Sequence, residues 1–240
     1  MTKEISNELI EKYNQIHEEK LQYILSSLSS EQDSTWTFQK SVKNMDLFFR
    51  SAKDSSIVET KTIVSLSVPK EAMIDVMTYG KVFTLETTPQ GPIPPQEIFA
   101  LHESHDDKDS IIYFMAMEAP AILVAPREFL LYRRTYRIDG KTIFMQMSIE
   151  NEDLKPQRKD FVRGTIFGQA FVIEDDKNCD KQENGEYKKA KMTVFSHVNP
   201  GGRLPSFAIN FSVKNQIDGL ETITSAAVDH YNKSITPKSI

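Results

Sequence analysis

From Gln96 to Val198 the chain reads as nearly all strand, with almost no helical interruption, and then its period changes. Past Asn199-Pro200-Gly201-Gly202, the residues Phe207, Phe211, Val213, Ile217, Leu220, Thr224, Ala227 and Tyr231 recur at steps of two to four. That spacing predicts one amphipathic helix from Pro205 to about Asn232, with proline at its first turn, where a missing N–H costs nothing. At 1.5 Å per residue such a helix is about 40 Å long. The strands before it fold back on one another. Asp139-Gly140 separates Arg127–Ile138 from Lys141–Glu150 as a tight hairpin signal, and the polar run SHDDKD links Gln96–Glu103 to Ser110–Ala119. Strands that reverse at once are antiparallel, which excludes a doubly wound nucleotide fold.

The remaining strands follow the same reading. Phe161–Ile173 is a long strand broken by Gly164 and Gly168, which mark a bend or a close backbone approach. Lys188–Val198 is the last strand, and shorter ones are expected at Trp36–Lys40, Asp46–Arg50 and Ile57–Val68. Residues 4–28 form an amphipathic helix, Pro69 opens a short second helix, and the proline-rich TTPQGPIPP is a rigid loop. The layout is α+β and one domain: residues 1–29 as an N-terminal helix, 30–232 as the main body and 233–240 as a flexible tail.

Composition narrows the function. A net charge of −5 over 240 residues argues against a nucleic-acid partner. The single cysteine, Cys179, lies in a polar run and suits a reducing, cytoplasmic setting. The charged N-terminus has no apolar signal core, and nowhere do about 18 apolar residues run together as a bilayer span requires. No Gly-x-Ser-x-Gly, paired carboxylate signature or glycine-rich phosphate loop is present, so no catalytic residue and no cofactor is expected. In HESHDD, His102, His105, Asp106 and Asp107 have the residue types of metal ligands. His102 and His105, three apart, point to opposite faces of a strand, and no metal site is expected. Gly219, inside the terminal helix, implies either a close helix–sheet contact or a bending point.

Two motifs carry a family resemblance. APREFLLYRR (125–134) resembles the Pro-Arg-Asp-Phe-Val motif of START domains, the lipid-transfer modules related to steroidogenic acute regulatory protein. SHVNPGGRLP (196–205) resembles their His-Val-Asp-Pro-Gly-Gly-Trp-Leu-Pro run, with Arg203 in place of the usual aromatic or aliphatic residue, and Glu128 replaces the first motif's Asp. The resemblance implies a helix-grip fold: a curved antiparallel sheet wrapped about the C-terminal helix, with a tunnel between them for one lipid. It implies Pro200, Gly201, Gly202 and Pro205 as the hinge of a lid made by that helix, with the loop NEDLKPQRKD (151–160) moving alongside it. Family parity turns Phe114 and Glu118 inward, together with Phe129, Leu131 and Arg133 on the next strand. Phe207, Phe211, Val213, Ile217 and Leu220 would line the tunnel from the helix. Arg133 matches the cavity arginine of sterol-binding members, with Phe114 where they carry its carboxylate partner; Glu118 and Glu103 are the alternative partners. The implied function is lipid binding and transfer by a monomer that touches membranes transiently, the lipid being a phospholipid, sphingolipid or sterol. A ligand-sensing module without transfer and a helix-grip enzyme are the alternatives.

Overall fold

The computed structural model describes residues 5–29, 35–52, 57–79, 95–103, 110–119, 124–202 and 206–235. For residues 79, 95–96 and 206–215 it describes the course of the backbone alone. The helices are α1 (Asn7–Ser29), α2 (Lys70–Tyr79) and α3 (Ser206–Ile235). The strands, in chain order, are β1 (Thr37–Val42), β2 (Met45–Ser51), β3 (Val58–Leu66), β4 (Pro95–Glu103) and β5 (Ser110–Met117). They continue with β6 (Arg127–Ile138), β7 (Lys141–Ser148), β8 (Val162–Arg163), β9 (Thr165–Asp175) and β10 (Ala190–Asn199). One antiparallel sheet runs β1-β2-β3-β10-β9-β7-β6-β5-β4, and the two-residue β8 pairs in parallel with β6. This is the α+β layout that the periodicity predicts. TTPQGPIPP, apart from its last proline, and the hairpin tip with His105, Asp106 and Asp107 lie outside the described residues.

Helices lie against both faces of this sheet, so many strands are apolar on both sides. On one face Leu21 and Ile24 of α1 pack on Ile143, Met145, Ala170, Val172 and Phe195, and Tyr13 packs on Ile112, Leu130 and Tyr132. On the other face Ile217, Leu220 and Ala227 of α3 join Ala72 and Met73 of α2 over Met45, Leu47, Val64, Met192 and Val194. The methionines divide accordingly. Met145 and Met147 belong to the α1 side, while Met115 and Met117 pack with Tyr113, Phe129 and Leu131 on the α3 side.

The hairpin of β6 and β7 turns at Asp139 (φ 50°) and Gly140 (φ 76°), the paired positive values that a two-residue loop needs. Gly164 interrupts the long strand expected over 161–173 and separates β8 from β9. A Cβ built there would lie 2.4 Å from Phe129 Cε1, a close backbone approach. Gly219 is different: among the described residues, no atom beyond its own helical turns lies within 4 Å of the position its Cβ would take. The close-contact explanation for this glycine is therefore excluded. Gly219→Ala is expected to stabilise the protein by about 0.5–1 kcal/mol through helix propensity, read as a higher urea midpoint; destabilisation would show that the helix needs its glycine conformationally.

His17 marks how tightly α1 seats. It is fully buried, and its Nδ1 lies 2.7 Å from the Tyr136 hydroxyl. Burial, and then the neighbouring Arg134 charge, lower its pKa to about 4. An imidazole depressed on folding binds its proton more tightly in the unfolded chain. Its stabilisation is complete above about pH 6.5 and is lost as the pH falls towards 4. We expect a loss of up to about 3 kcal/mol over that window, measured by urea unfolding, and a clearly smaller loss in His17→Gln. Equal losses in the two proteins would contradict this role.

Candidate ligand-binding site

Antiparallel register places directly opposed residues on the same face. On β6 and β7, Leu131 opposes Ser148 and Arg133 opposes Gln146; on β5 and β6, Tyr113 opposes Leu131 and Ile111 opposes Arg133. The α3 face of β5 is therefore Ile111, Tyr113, Met115 and Met117. This corrects the expected parity: Phe114 turns to the opposite face, where its ring meets Phe99, Lys155 and Arg158. Alternation within β5 did not reveal this, because both of its faces are covered. Glu118 is corrected as well. It lies past the end of β5 and is exposed, as is Glu103 at the end of β4.

The other expected residues divide three ways. Phe129, Leu131 and Arg133 are on the α3 face of β6, and Ile217 and Leu220 are buried on α3 itself. Phe207, Phe211 and Val213 fall where α3 is described by its backbone alone, and Arg203 and Pro205 lie outside the described residues. Arg133 is fixed from two sides: its Nη2 donates to the Met77 carbonyl of α2 at 2.9 Å, and its guanidinium sits 4.8 Å from the centre of the Phe144 ring. Burial lowers its pKa, and burial raises that of its neighbour Tyr113.

Arg133 belongs to a feature that no single strand reveals. Thr60 opposes Ser196, Ser196 opposes Gln169, Gln169 opposes Gln146, and Gln146 opposes Arg133. Five adjacent strands each place one polar residue in a single transverse row on the α3 face. Hydrogen bonds run along it. The Tyr113 hydroxyl donates to Gln146 Oε1 at 2.6 Å, Gln146 Nε2 to Gln169 Oε1 at 2.5 Å, and Gln169 Nε2 to Ser196 Oγ at 3.3 Å. Gln216 of α3 closes the far end, its Nε2 donating to Thr60 Oγ1 at 3.2 Å.

Apolar ground lies on both sides of the row. On one side are Val194, Phe171 and Phe144, leading to the core under α3. On the other is the cluster of Ile98, Tyr113, Phe129, Leu131 and Ile166, with Met115, Met117 and Val198 half-buried around it. Sequence reasoning missed this row. A lone polar residue at an inward position of each strand was its signal, and only the register aligns the five.

The corner before α3 is held from β6. Gly201 N–H donates to Asn199 Oδ1 at 2.9 Å, and Gly201 and Gly202 take positive φ (71° and 66°). The buried Arg127 donates from Nε to the Pro200 carbonyl and from Nη2 to the Gly201 carbonyl, both at 3.3 Å, and its Nη1 donates to the Ala125 carbonyl. Arg127 thus clamps the expected hinge to the start of β6, a role that the sequence reading did not assign.

The loop 151–160, expected to move with the lid, sits on the wrong face for that. Glu128, fully buried on the α1 side, accepts from Arg158 Nε at 2.8 Å and from Arg163 Nε and Nη2 at 3.0 and 2.8 Å. Arg158 also pairs with Glu97 at 2.8 Å. Burial pushes the Glu128 carboxyl up, but the bonds from Arg163 and Arg158 outweigh it and hold it below the usual carboxylate range. This is a pinned loop.

His197 packs its ring on Phe167 at 4.6 Å, and its Nδ1 is 3.8 Å from Glu59 Oε1, too far for a hydrogen bond. At the opposite end of α3 a cleft of about 340 Å³ opens between the turn at Lys43–Asn44 and the helix. Its lining mixes the polar Lys43, Asn44, Ser65, Ser67, Glu221 and Asp229 with the apolar Leu66, Val68 and Val228. No helix among the described residues is long and apolar enough to cross a membrane.

The START domain family model matches residues 99–234. Among solved structures, human STARD10 superposes with a TM-score of 0.68 at 16% identity, over 92% of this chain and 84% of that one. Human StAR-related lipid transfer protein 5 gives 0.68 at 13% identity, over 92% and 97% of the two chains. A StAR-related lipid transfer protein fragment from Xanthomonas axonopodis gives 0.61 at 16% identity, over 81% and 99%. A search of the curated proteins finds no match.

Proposed function

The chain belongs to the START domain family, and on that premise we propose that it holds one lipid between the α3 face of the sheet and α3 and carries it between membranes. The observation behind this reading is the incomplete burial of the α3 face. Met115, Met117, Gln146, Gln169 and Phe171 all face the helix side, yet each stays only half-buried. A packed core would leave no such surface.

Burial of hydrocarbon is worth about 0.8 kcal/mol per methylene against water, so an acyl chain of about a dozen methylenes contributes about 10 kcal/mol against release into solvent. Against a bilayer the same chain gains almost nothing, since it is already dry there. Retention in the aqueous phase rests on the apolar cluster, and choice among lipids rests on the polar row.

The protein works as a monomer. Its free thiol, Cys179, suits a reducing cytoplasmic setting, and its membrane contacts are transient. Lipid leaves and enters by movement of α3 about the Pro200–Gly202 corner. Transfer of a fluorescent acyl lipid from donor to acceptor vesicles tests the proposal: transfer should rise in proportion to protein concentration. Loading without transfer would make the protein a sensor, and neither loading nor transfer would overturn the reading.

A further inference from the structure

We propose that the transverse polar row selects a lipid whose head is uncharged and both donates and accepts hydrogen bonds, an amide- or hydroxyl-bearing head, over a phosphate-bearing one. This rests on the reading that the α3 face holds a lipid. The support is the unspent hydrogen-bonding capacity of the row.

A glutamine side chain has two N–H donors and two acceptor lone pairs. Gln146 uses one lone pair for Tyr113 and one N–H for Gln169; Gln169 uses one lone pair for Gln146 and one N–H for Ser196. Each amide keeps one donor and one acceptor, and both side chains are half-buried on the α3 face. Two residues along β3 from Thr60, the fully buried Thr62 keeps its Oγ1 without a hydrogen-bond partner.

Donors and acceptors are therefore left side by side. A hydroxyl or a secondary amide answers both. Phosphodiester oxygens only accept, so they would leave the glutamine lone pairs unmatched in a desolvated site, at a cost comparable with a lost hydrogen bond. The one cation in the row does not restore the balance. Arg133 directs its Nη2 to the Met77 carbonyl and stacks on Phe144, whereas phosphate recognition favours a guanidinium fork turned towards the ligand. Between β6 and β3 the row contains no carboxylate to hold a cationic head. Orientation follows as well: the head sits on Gln146 and Gln169, and the hydrocarbon runs over Met115, Met117, Phe129 and Leu131.

The test is a competition. Full-length protein is incubated with vesicles containing equal amounts of phosphatidylcholine, phosphatidylserine, ceramide, diacylglycerol and cholesterol, re-isolated, and its lipid extracted and identified. An uncharged lipid should be enriched over the two phospholipids by about tenfold, as one or two net hydrogen bonds give. The three uncharged lipids distinguish an amide head from an acylglycerol and a sterol. In Gln146→Leu/Gln169→Leu, and more weakly in Tyr113→Phe, the ratio of uncharged lipid to phospholipid within the bound pool should fall towards that of the vesicles. A phospholipid as the main bound species, or an unchanged ratio in both variants, would overturn the selectivity and leave lipid binding standing. Protein re-isolated without any lipid would overturn the lipid-binding reading itself.

Discussion

Glu128→Ala is expected to cost about 3 kcal/mol of folding stability and to lower the thermal midpoint by about 10 °C. The carboxylate is fully buried and accepts from Arg158 and Arg163 at once, so its removal leaves Arg163 without a carboxylate and Arg158 with Glu97 alone, both guanidinium groups being drawn partly out of water. Cutting a buried pair from one side typically costs about 3–5 kcal/mol, and the partial exposure of Arg158 favours the lower end. Glu128→Gln, which still accepts hydrogen bonds but has no charge, should fall between alanine and the parent. A loss below about 1 kcal/mol for Glu128→Ala, the value of an ordinary surface pair, would show that the loop 151–160 is not held in this way. Since these contacts are on the α1 side, the deficit should appear in stability before it appears in lipid selectivity.

The second large effect lies at the corner before α3. Gly201 and Gly202 both take positive φ, so either alanine variant meets a left-handed backbone cost of about 1–2 kcal/mol. Only at Gly201 is there also no room. A Cβ there would stand 2.8 Å from Val162 Cγ1 and 2.9 Å from the Arg163 carbonyl oxygen, while at Gly202 the nearest atoms are 3.7 Å away. The carbonyl is backbone and yields little, so Gly201→Ala carries an added overpacking cost of about 1–3 kcal/mol. Denaturant unfolding of the two variants should rank Gly201→Ala well below Gly202→Ala. Equal losses would mean that the corner does not pack on β8 as described. If the chain transfers lipid as proposed, the Gly201 change should also alter that transfer, because it displaces the carbonyls that Arg127 clamps.

Periodicity made most of the fold legible. The switch at Asn199-Pro200-Gly201-Gly202, the Asp139-Gly140 hairpin and the α1 stripe each have a local physical cause, and each is where the sequence places it. The orientation of β5 had no such cause. Ile112 and Phe114 are as apolar as Ile111 and Tyr113, because α1 and the loop 151–160 cover the face that would otherwise be wet. Only the pairing of Tyr113 with Leu131 decides between them. The role of Glu128 was half legible. Alternation on β6 put it opposite Arg127 and Phe129, but its partners Arg158 and Arg163 come from some 30 residues further along. The polar row was illegible for a related reason. Thr60, Gln146, Gln169 and Ser196 come from four strands far apart in sequence, and β9 carries a bulge between Gly168 and Ile166 that resets its parity. Register is a tertiary property, and the site is made of register.

The most direct measurement of whether the α3 face holds a lipid is native mass spectrometry of the full chain after incubation with mixed-lipid vesicles. One lipid held on the α3 face gives a population heavier than the protein by the mass of one lipid, surviving removal of the vesicles. A spectrum showing only the bare protein, from vesicles containing both phospholipids and uncharged lipids, would contradict it.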